Sequence, residues 1–396
     1  MMPPIAERLS KIAPSATLEV TRLARELSSQ GKPVVNWAAG EPDFDMPEAA
    51  GQAIAQALKE GFTKYTPTTG VPELKRAIAE NFLATKKLSY DPSQIIVTCG
   101  AKHAIFNLFL AVLNPGDQVI LPVPYWVSYP EMARVAGATP VFVPTHEAEN
   151  FKLQPHALRA ALTPKTRLIV LNSPSNPTGS VFSRRELEAL AAAVPDERIL
   201  WLSDEIYDRI VFDGMETPSI AQISESLKAR TLVVNGVSKS YAMTGLRIGY
   251  AAIPEKGFLD AVSNLQDHST SNPASTSQRA ALAALLKGEE FVQRLRSEFQ
   301  SRRDLLVAGL SKLDPLSCVR PEGAFYVFCN ISKTGLGGKE FSKRLLQEHY
   351  VASIPGEAFG MATHVRFSFA CSQDKLREGL VRLEQFMKSL PARSHA

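Results

Sequence analysis

The chain has 396 residues, 45% of them hydrophobic and 21% charged, a globular composition too long for one ordinary core, so two domains are expected. Lys plus Arg number 44 against 40 for Asp plus Glu, an excess too slight to argue nucleic-acid or membrane binding by bulk charge. No stretch approaches the ~18 apolar residues of a membrane span, no apolar signal core opens the chain, and Cys99, Cys318, Cys329 and Cys371 form no CxxC pair; a cytoplasmic protein with reduced thiols is expected.

In chain order, a polar arm leads into TLEVTRLARELSSQ, a helical pattern stopped by Gly31. PVVNWAA reads as a short strand entering the turn GEPDFDMP, and PEAAGQAIAQALKEG as a helix. From about residue 95 the pattern is strand, turn, helix, repeated. IIVTCG, DQVILPVP, ATPVFVP, TRLIVLN, RILWLSD and RTLVVNG are strands apolar throughout, and RIGYAAIP continues them. Such strands with helices between argue a mostly parallel sheet covered on both faces. After about residue 275 comes one long charged helical region. It is followed by GAFYVFCNI (strand), GKEFSKRLLQEHY (helix), THVRFSFA (strand) and DKLREGLVRLEQFMKSL (helix), a smaller α+β unit. The expected division is 1–45 as arm and part of the small domain, 46–309 as large domain and 310–396 as small domain, its boundary inside the long helix.

Ligands of open α/β sheets bind at the carboxyl ends of the strands. Those ends carry Gly100-Ala101-Lys102, Tyr125-Trp126, Asn172 to Gly179, Asp204 to Tyr207 and Ser238-Lys239. A sheltered Lys239 could act as an amine nucleophile. Asp204 could hold a cationic ring nitrogen, Tyr207 could donate to a phenolate and Trp126 could stack on a flat ring. The amides of Gly100 to Lys102, opening a helix, could bind a phosphate with Arg247 and Ser238. Pyridoxal phosphate has all of these features. Taken singly, each residue has a plainer reading. Lys239 could be a solvated loop charge, Asp204 a helix cap, Trp126 core, and Arg247 the partner of a surface carboxylate.

Together with NSPSNPTG, SDEIYDRIVFDG, PYWVSYPEM, KYTPTTGVPELKRAIA and VRFSFA, the block NGVSKSYAMTGLRIGY makes nearly the whole chain resemble the class I pyridoxal-phosphate-dependent aminotransferases, in particular the bacterial aspartate aminotransferase subgroup. The resemblance implies fold type I, an α/β large domain with a mostly parallel seven-stranded sheet plus the smaller α+β domain. It implies Lys239 as the Schiff-base lysine and proton carrier, Asp204 on the pyridine nitrogen, Tyr207 and Asn176 on the ring oxygen, and Trp126 stacked on the ring. It further implies Gly100, Ala101, Lys102, Ser238 and Arg247 around the phosphate. Tyr65 is similar to a tyrosine that crosses to the partner subunit's phosphate, which requires a homodimer with shared active sites. Arg366 matches the arginine that grips the substrate α-carboxylate, helped by the Gly40 amide. Where some relatives use an arginine for the side-chain carboxylate, this chain reads SNLQDHSTSNPAS. The subgroup implies Lys102 in that role, with Ser15 and Thr17 nearby. The expected reaction is ping-pong transfer of an amino group from aspartate to 2-oxoglutarate. Prephenate or aromatic substrates, or a β-lyase reaction on the same fold, are the alternatives. A P-loop is excluded, since GxxxxGK[ST] does not occur, and no HExxH or paired CxxC spacing suggests a metal.

Overall fold

The computed structural model describes residues 5–10, 12–14 and 16–390. Seven strands form the large sheet: β1 (Ile95–Thr98), β2 (Gln118–Val123), β3 (Thr139–Pro144), β4 (Thr166–Asn172), β5 (Leu200–Asp204), β6 (Thr231–Gly236) and β7 (Gly249–Ala252). Their order is β1-β7-β6-β5-β4-β2-β3. Every neighbouring pair is parallel except those of β7, which runs antiparallel to β1 and β6.

Both faces of this sheet are covered, which is why its strands read as unbroken apolar runs. Alternate residues serve opposite cores. Val119, Leu121, Leu168, Leu202 and Leu232 pack with Ile105, Leu108 and Phe109 of the Ala101–Val112 helix. Ile120, Ile169, Leu171 and Trp201 pack on the other side with Leu187 and Leu190 of the Arg184–Ala192 helix. The Pro72–Lys86 helix, not anticipated from sequence, begins with proline at its first turn and covers β1 and β7.

The smaller unit is a four-stranded antiparallel sheet, in the order Ile354–Pro355, His364–Ser368, Tyr326–Asn330, Ser317–Cys318. The Gly338–His349 and Gln373–Ser389 helices pack on it, and Phe299, Phe325, Phe341, Phe367 and Phe386 fill its core. Val35–Asn36 pairs in parallel with Val351–Ala352, tying the N-terminal segment to this unit. The long charged region is two helices, Ser275–Lys287 and Glu289–Leu310, broken at Gly288, a residue that disfavours helix continuation. The second helix runs to Leu310, with Leu295, Phe299, Leu306 and Leu310 packed in the core of the smaller unit. No helix among the described residues is long and apolar enough to cross a membrane.

Candidate active site

The register of the large sheet brings three chemically equipped strand ends together. Asn172 ends β4 opposite Asp204, which ends β5, and Asp204 lies opposite Val234 of β6. Beyond β6 the chain turns through Ser238 and Lys239. A cleft of about 330 Å³ opens over these ends, roofed on the other side by Tyr326 and Arg366 of the small sheet.

Asp204 is buried, and its Oδ2 accepts a 2.6 Å hydrogen bond from the Tyr129 hydroxyl. The Ile206 amide donates to Oδ1 at 3.3 Å. Burial pushes the Asp204 carboxyl up to about 6, aided by Glu205, while these two donors and Lys239 pull it back. Tyr207, also buried, shares a 2.9 Å phenol–phenol hydrogen bond with Tyr326. The Lys239 Nζ donates to the Gly40 carbonyl at 2.5 Å and lies 6.0 Å from the centre of the Tyr207 ring. Burial lowers the Lys239 ammonium to about 8 against the opposing pull of Glu41, and the cations Arg366, Arg247 and Lys102 lower it further.

Arg366 is 3% exposed. One guanidinium nitrogen donates to Asn176 Oδ1 at 2.9 Å and another to the Ala38 carbonyl at 3.0 Å, while Nε is buried without a partner. The guanidinium lies 4.2 Å from the centre of the Tyr326 ring. Burial lowers its pKa, with the Tyr326 and Tyr207 phenols opposing. A buried cation satisfied by neutral acceptors, with an idle donor, is suited to a carboxylate brought from outside. Asn176 is fixed in turn, its amide donating to Asn172 Oδ1 at 2.8 Å while the Asn172 side chain donates to the Asp204 carbonyl at 3.0 Å.

A candidate anion site adjoins these groups. Gly100, at φ 88°, turns the chain from β1 into the Ala101–Val112 helix, a conformation open to glycine at little cost. The Ala101 and Lys102 amides that open that helix have no partner among the described residues, as at an ordinary helix N-terminus, while the His103 amide already donates to the Gly100 carbonyl at 3.0 Å. The Arg247 guanidinium reaches Gly100 so closely that a Cβ there would meet its Nη2 at 2.6 Å. Gly249 of β7 lets the helix start approach, since a Cβ on it would stand 2.1 Å from the Ala101 nitrogen. Ser238 is buried beside this end of the cleft. Lys102 lies 5.0 Å over the Trp126 ring, its pKa lowered by burial and by Arg247.

The structure therefore gathers Gly40, Ala101, Lys102, Trp126, Asn176, Asp204, Tyr207, Ser238, Lys239, Arg247 and Arg366 around one cleft, with Gly100 at its rim and Thr17 among its walls. Tyr65 is not among them. It is 91% exposed and stands apart from the cleft of its own chain. Ser15 lies outside the described residues. Tyr129 and Tyr326 escaped the sequence reading. Tyr326 carried a signal, since it lies in the GAFYVF strand, whereas Tyr129 stands as an ordinary residue of the Ser128–Val135 helix.

These residues fit pyridoxal phosphate on the structure's own terms. Asp204 is a buried carboxylate in want of a cation, and a cation-flanked helix start would receive a phosphate. The model of the family "Aminotransferase class I and II" matches residues 32–383. The aspartate aminotransferase of Bacillus subtilis is 46% identical, covering 97% of this chain and 99% of its own length. The aspartate/prephenate aminotransferase of Cereibacter sphaeroides is 45% identical over 98% and 99%. Among solved structures, the Thermus thermophilus aspartate aminotransferase with maleate superposes with a TM-score of 0.93 at 44% identity, covering 97% of this chain and all of that one. Its fold, like this one, is fold type I, and the chain belongs to the class I and II aminotransferases.

Proposed function

We propose that this protein is a cytoplasmic, homodimeric, pyridoxal-phosphate-dependent aspartate aminotransferase that passes the amino group of L-aspartate to 2-oxoglutarate. The observation that carries the reading is the convergence, in one cleft, of an amine lowered to about 8, a buried carboxylate and a buried guanidinium with an idle Nε. The names of the relatives supply aspartate, and 2-oxoglutarate is the acceptor that the resemblance implies. When bound, pyridoxal phosphate supplies an aldehyde that condenses with amines and a ring that draws electrons from the substrate α-carbon.

The chain's own residues would hold that group as follows. Asp204 meets the ring nitrogen, Tyr207 and Asn176 the ring oxygen, Trp126 the ring face. Ser238, Arg247 and the amides opening the Ala101–Val112 helix take the phosphate, with Tyr65 of the partner subunit. Arg366 binds the substrate α-carboxylate with the Gly40 amide and so fixes which face of Cα turns to Lys239. The Lys239 amine, partly neutral near pH 7 at a value of about 8, then removes the α-proton and carries it. Lys102, an exposed point charge over Trp126, reads the distal carboxylate. An ammonium on a flexible stem constrains geometry less than a guanidinium fork, which leaves room for prephenate beside aspartate. For the division 1–45, 46–309 and 310–396, the pairing of Val35–Asn36 with Val351–Ala352 supports the assignment of part of 1–45 to the small domain, and the Glu289–Leu310 helix bridges the second boundary.

Incubation with aspartate and 2-oxoglutarate is expected to yield oxaloacetate and glutamate in equal amounts. Pyruvate and ammonia would instead mean a β-lyase. Lys239→Ala is expected to lose the visible band of the bound cofactor and at least ~100-fold in turnover. Wild-type turnover in that variant would sink the mechanism.

A further inference from the structure

Immediately behind the cleft, on the side away from it, lies a charged cluster with no role in the chemistry above. Beyond β5 the chain runs Asp204-Glu205-Ile206-Tyr207-Asp208. Asp204, Ile206 and Tyr207 line the cleft. Glu205 and Asp208, 2% and 5% exposed, meet Lys86, the last residue of the Pro72–Lys86 helix, itself 4% exposed. Its Nζ stands 3.6 Å from a carboxylate oxygen of each. The same ammonium donates to the Thr217 carbonyl at 2.5 Å and the Thr217 hydroxyl at 2.8 Å, and that hydroxyl donates to the Asp208 carbonyl at 3.0 Å. Ser203 donates to Glu205 Oε1 at 2.7 Å, while Glu205 Oε2 is buried without a hydrogen-bond partner.

Two buried carboxylates thus share one ammonium, and each is a chain neighbour of a residue that would hold the cofactor. We propose that Lys86 is a positioning residue: it anchors the 204–208 segment from behind and offsets the negative charge that Glu205 and Asp208 would otherwise impose on Asp204. The inference rests on the reading of Asp204 as the partner of a cationic ring nitrogen. The groups facing Asp204 are Tyr129 from its helix, Glu205 and Tyr207 on its own segment, and Lys239 from the loop after β6. Glu205 already raises the Asp204 pKa. Removing the ammonium leaves that charge uncompensated in a medium of low polarity, so Asp204 keeps its proton to higher pH.

The test is binding of pyridoxal phosphate to the full-length apoprotein between pH 5 and 8, alongside kcat, KM and thermal melts. In the wild type, affinity falls on the acid side as Asp204 takes up its proton. Lys86→Met is expected to move that acid limb up by about one pH unit, a loss of roughly fivefold in affinity at pH 6 that approaches tenfold at pH 5. Glu205→Gln moves it the other way, and Lys86→Met with Glu205→Gln returns it toward the wild type. Lys86→Met that melts earlier but binds with an unmoved limb overturns the proposal, leaving Lys86 a purely structural ion pair. Should Lys86→Met not fold, a Glu205→Gln limb that fails to move down overturns it equally. Wild-type apoprotein that does not bind pyridoxal phosphate at all overturns the proposed function, and this inference with it.

Discussion

Asp204 carries an internal conflict that sets the stability of the cofactor-free protein. Its carboxyl is buried and pushed up to about 6 from an ordinary 3.8. A carboxyl whose folded value is raised holds its proton more tightly in the native state. Stability from this group is therefore greatest at low pH and falls as pH rises from about 4 to about 6. Above that the charge costs on the order of 3 kcal/mol. A cationic ring nitrogen would remove this penalty, so part of the cofactor's binding energy would offset it. Asp204→Asn removes the penalty at pH 8 and changes little at pH 4. In melts of the cofactor-free protein, the variant is expected to gain on the wild type as pH rises between those values. A gap independent of pH would sink the assignment. The residue types of the site were legible because their chemistry is unusual at strand ends: Lys239, Asp204, Tyr207 and Arg366 stand in short polar interruptions of apolar runs. The residues that tune them were not. Tyr129 reads as an ordinary helix residue and Lys86 as an ordinary helix-end lysine, and only the tertiary packing turns each toward a carboxylate.

At the scale of the elements, the site depends on how closely β7 passes the start of the Ala101–Val112 helix. Nothing in RIGYAAIP distinguishes an antiparallel strand from a parallel one, because both are apolar throughout when both faces are buried. Direction is decided by the connection. The residues between Gly236 and Gly249 hold only the short Thr244–Leu246 turn and lack the crossover helix that ordinarily returns the chain for a parallel pairing. The reversal sets Gly249 against the backbone of Gly100 and Ala101, at 2.4 and 2.1 Å from a Cβ that glycine lacks. Backbone cannot rotate aside, so Gly249→Ala displaces the helix start. A cost of roughly 1–3 kcal/mol, typical of overpacking, is expected. Because the displaced atoms are the amides that would take the phosphate, cofactor affinity falls as well. Calorimetric titration with pyridoxal phosphate reads this directly. An unchanged affinity in a destabilised variant would remove the helix start from the phosphate site.

At the scale of the whole molecule, the exposed position of Tyr65 bears on assembly. Two buried glutamines hold its loop rigidly. Gln278 accepts from the Val71 amide at 2.8 Å and donates to the Thr66 hydroxyl at 2.9 Å, and Gln266 donates to the Thr68 carbonyl at 2.8 Å. A tyrosine 91% exposed on a loop so firmly pinned is pre-set for contact with something outside its own chain. The proposed homodimer would supply that contact, with each Tyr65 completing the partner's phosphate site. Subunit mixing separates this from a role within one chain. Tyr65→Ala dimers would have two weakened sites, and Lys239→Ala dimers two dead ones. After denaturing and refolding an equal mixture, half the dimers are hybrids. In each hybrid one site joins an intact Lys239 to an intact Tyr65 from the other subunit, as two-fold symmetry requires. About a quarter of all sites then regain wild-type behaviour at limiting pyridoxal phosphate, where neither parent works well. If Tyr65 acted within its own chain, every site retaining Lys239 would lack its tyrosine, and mixing would restore nothing.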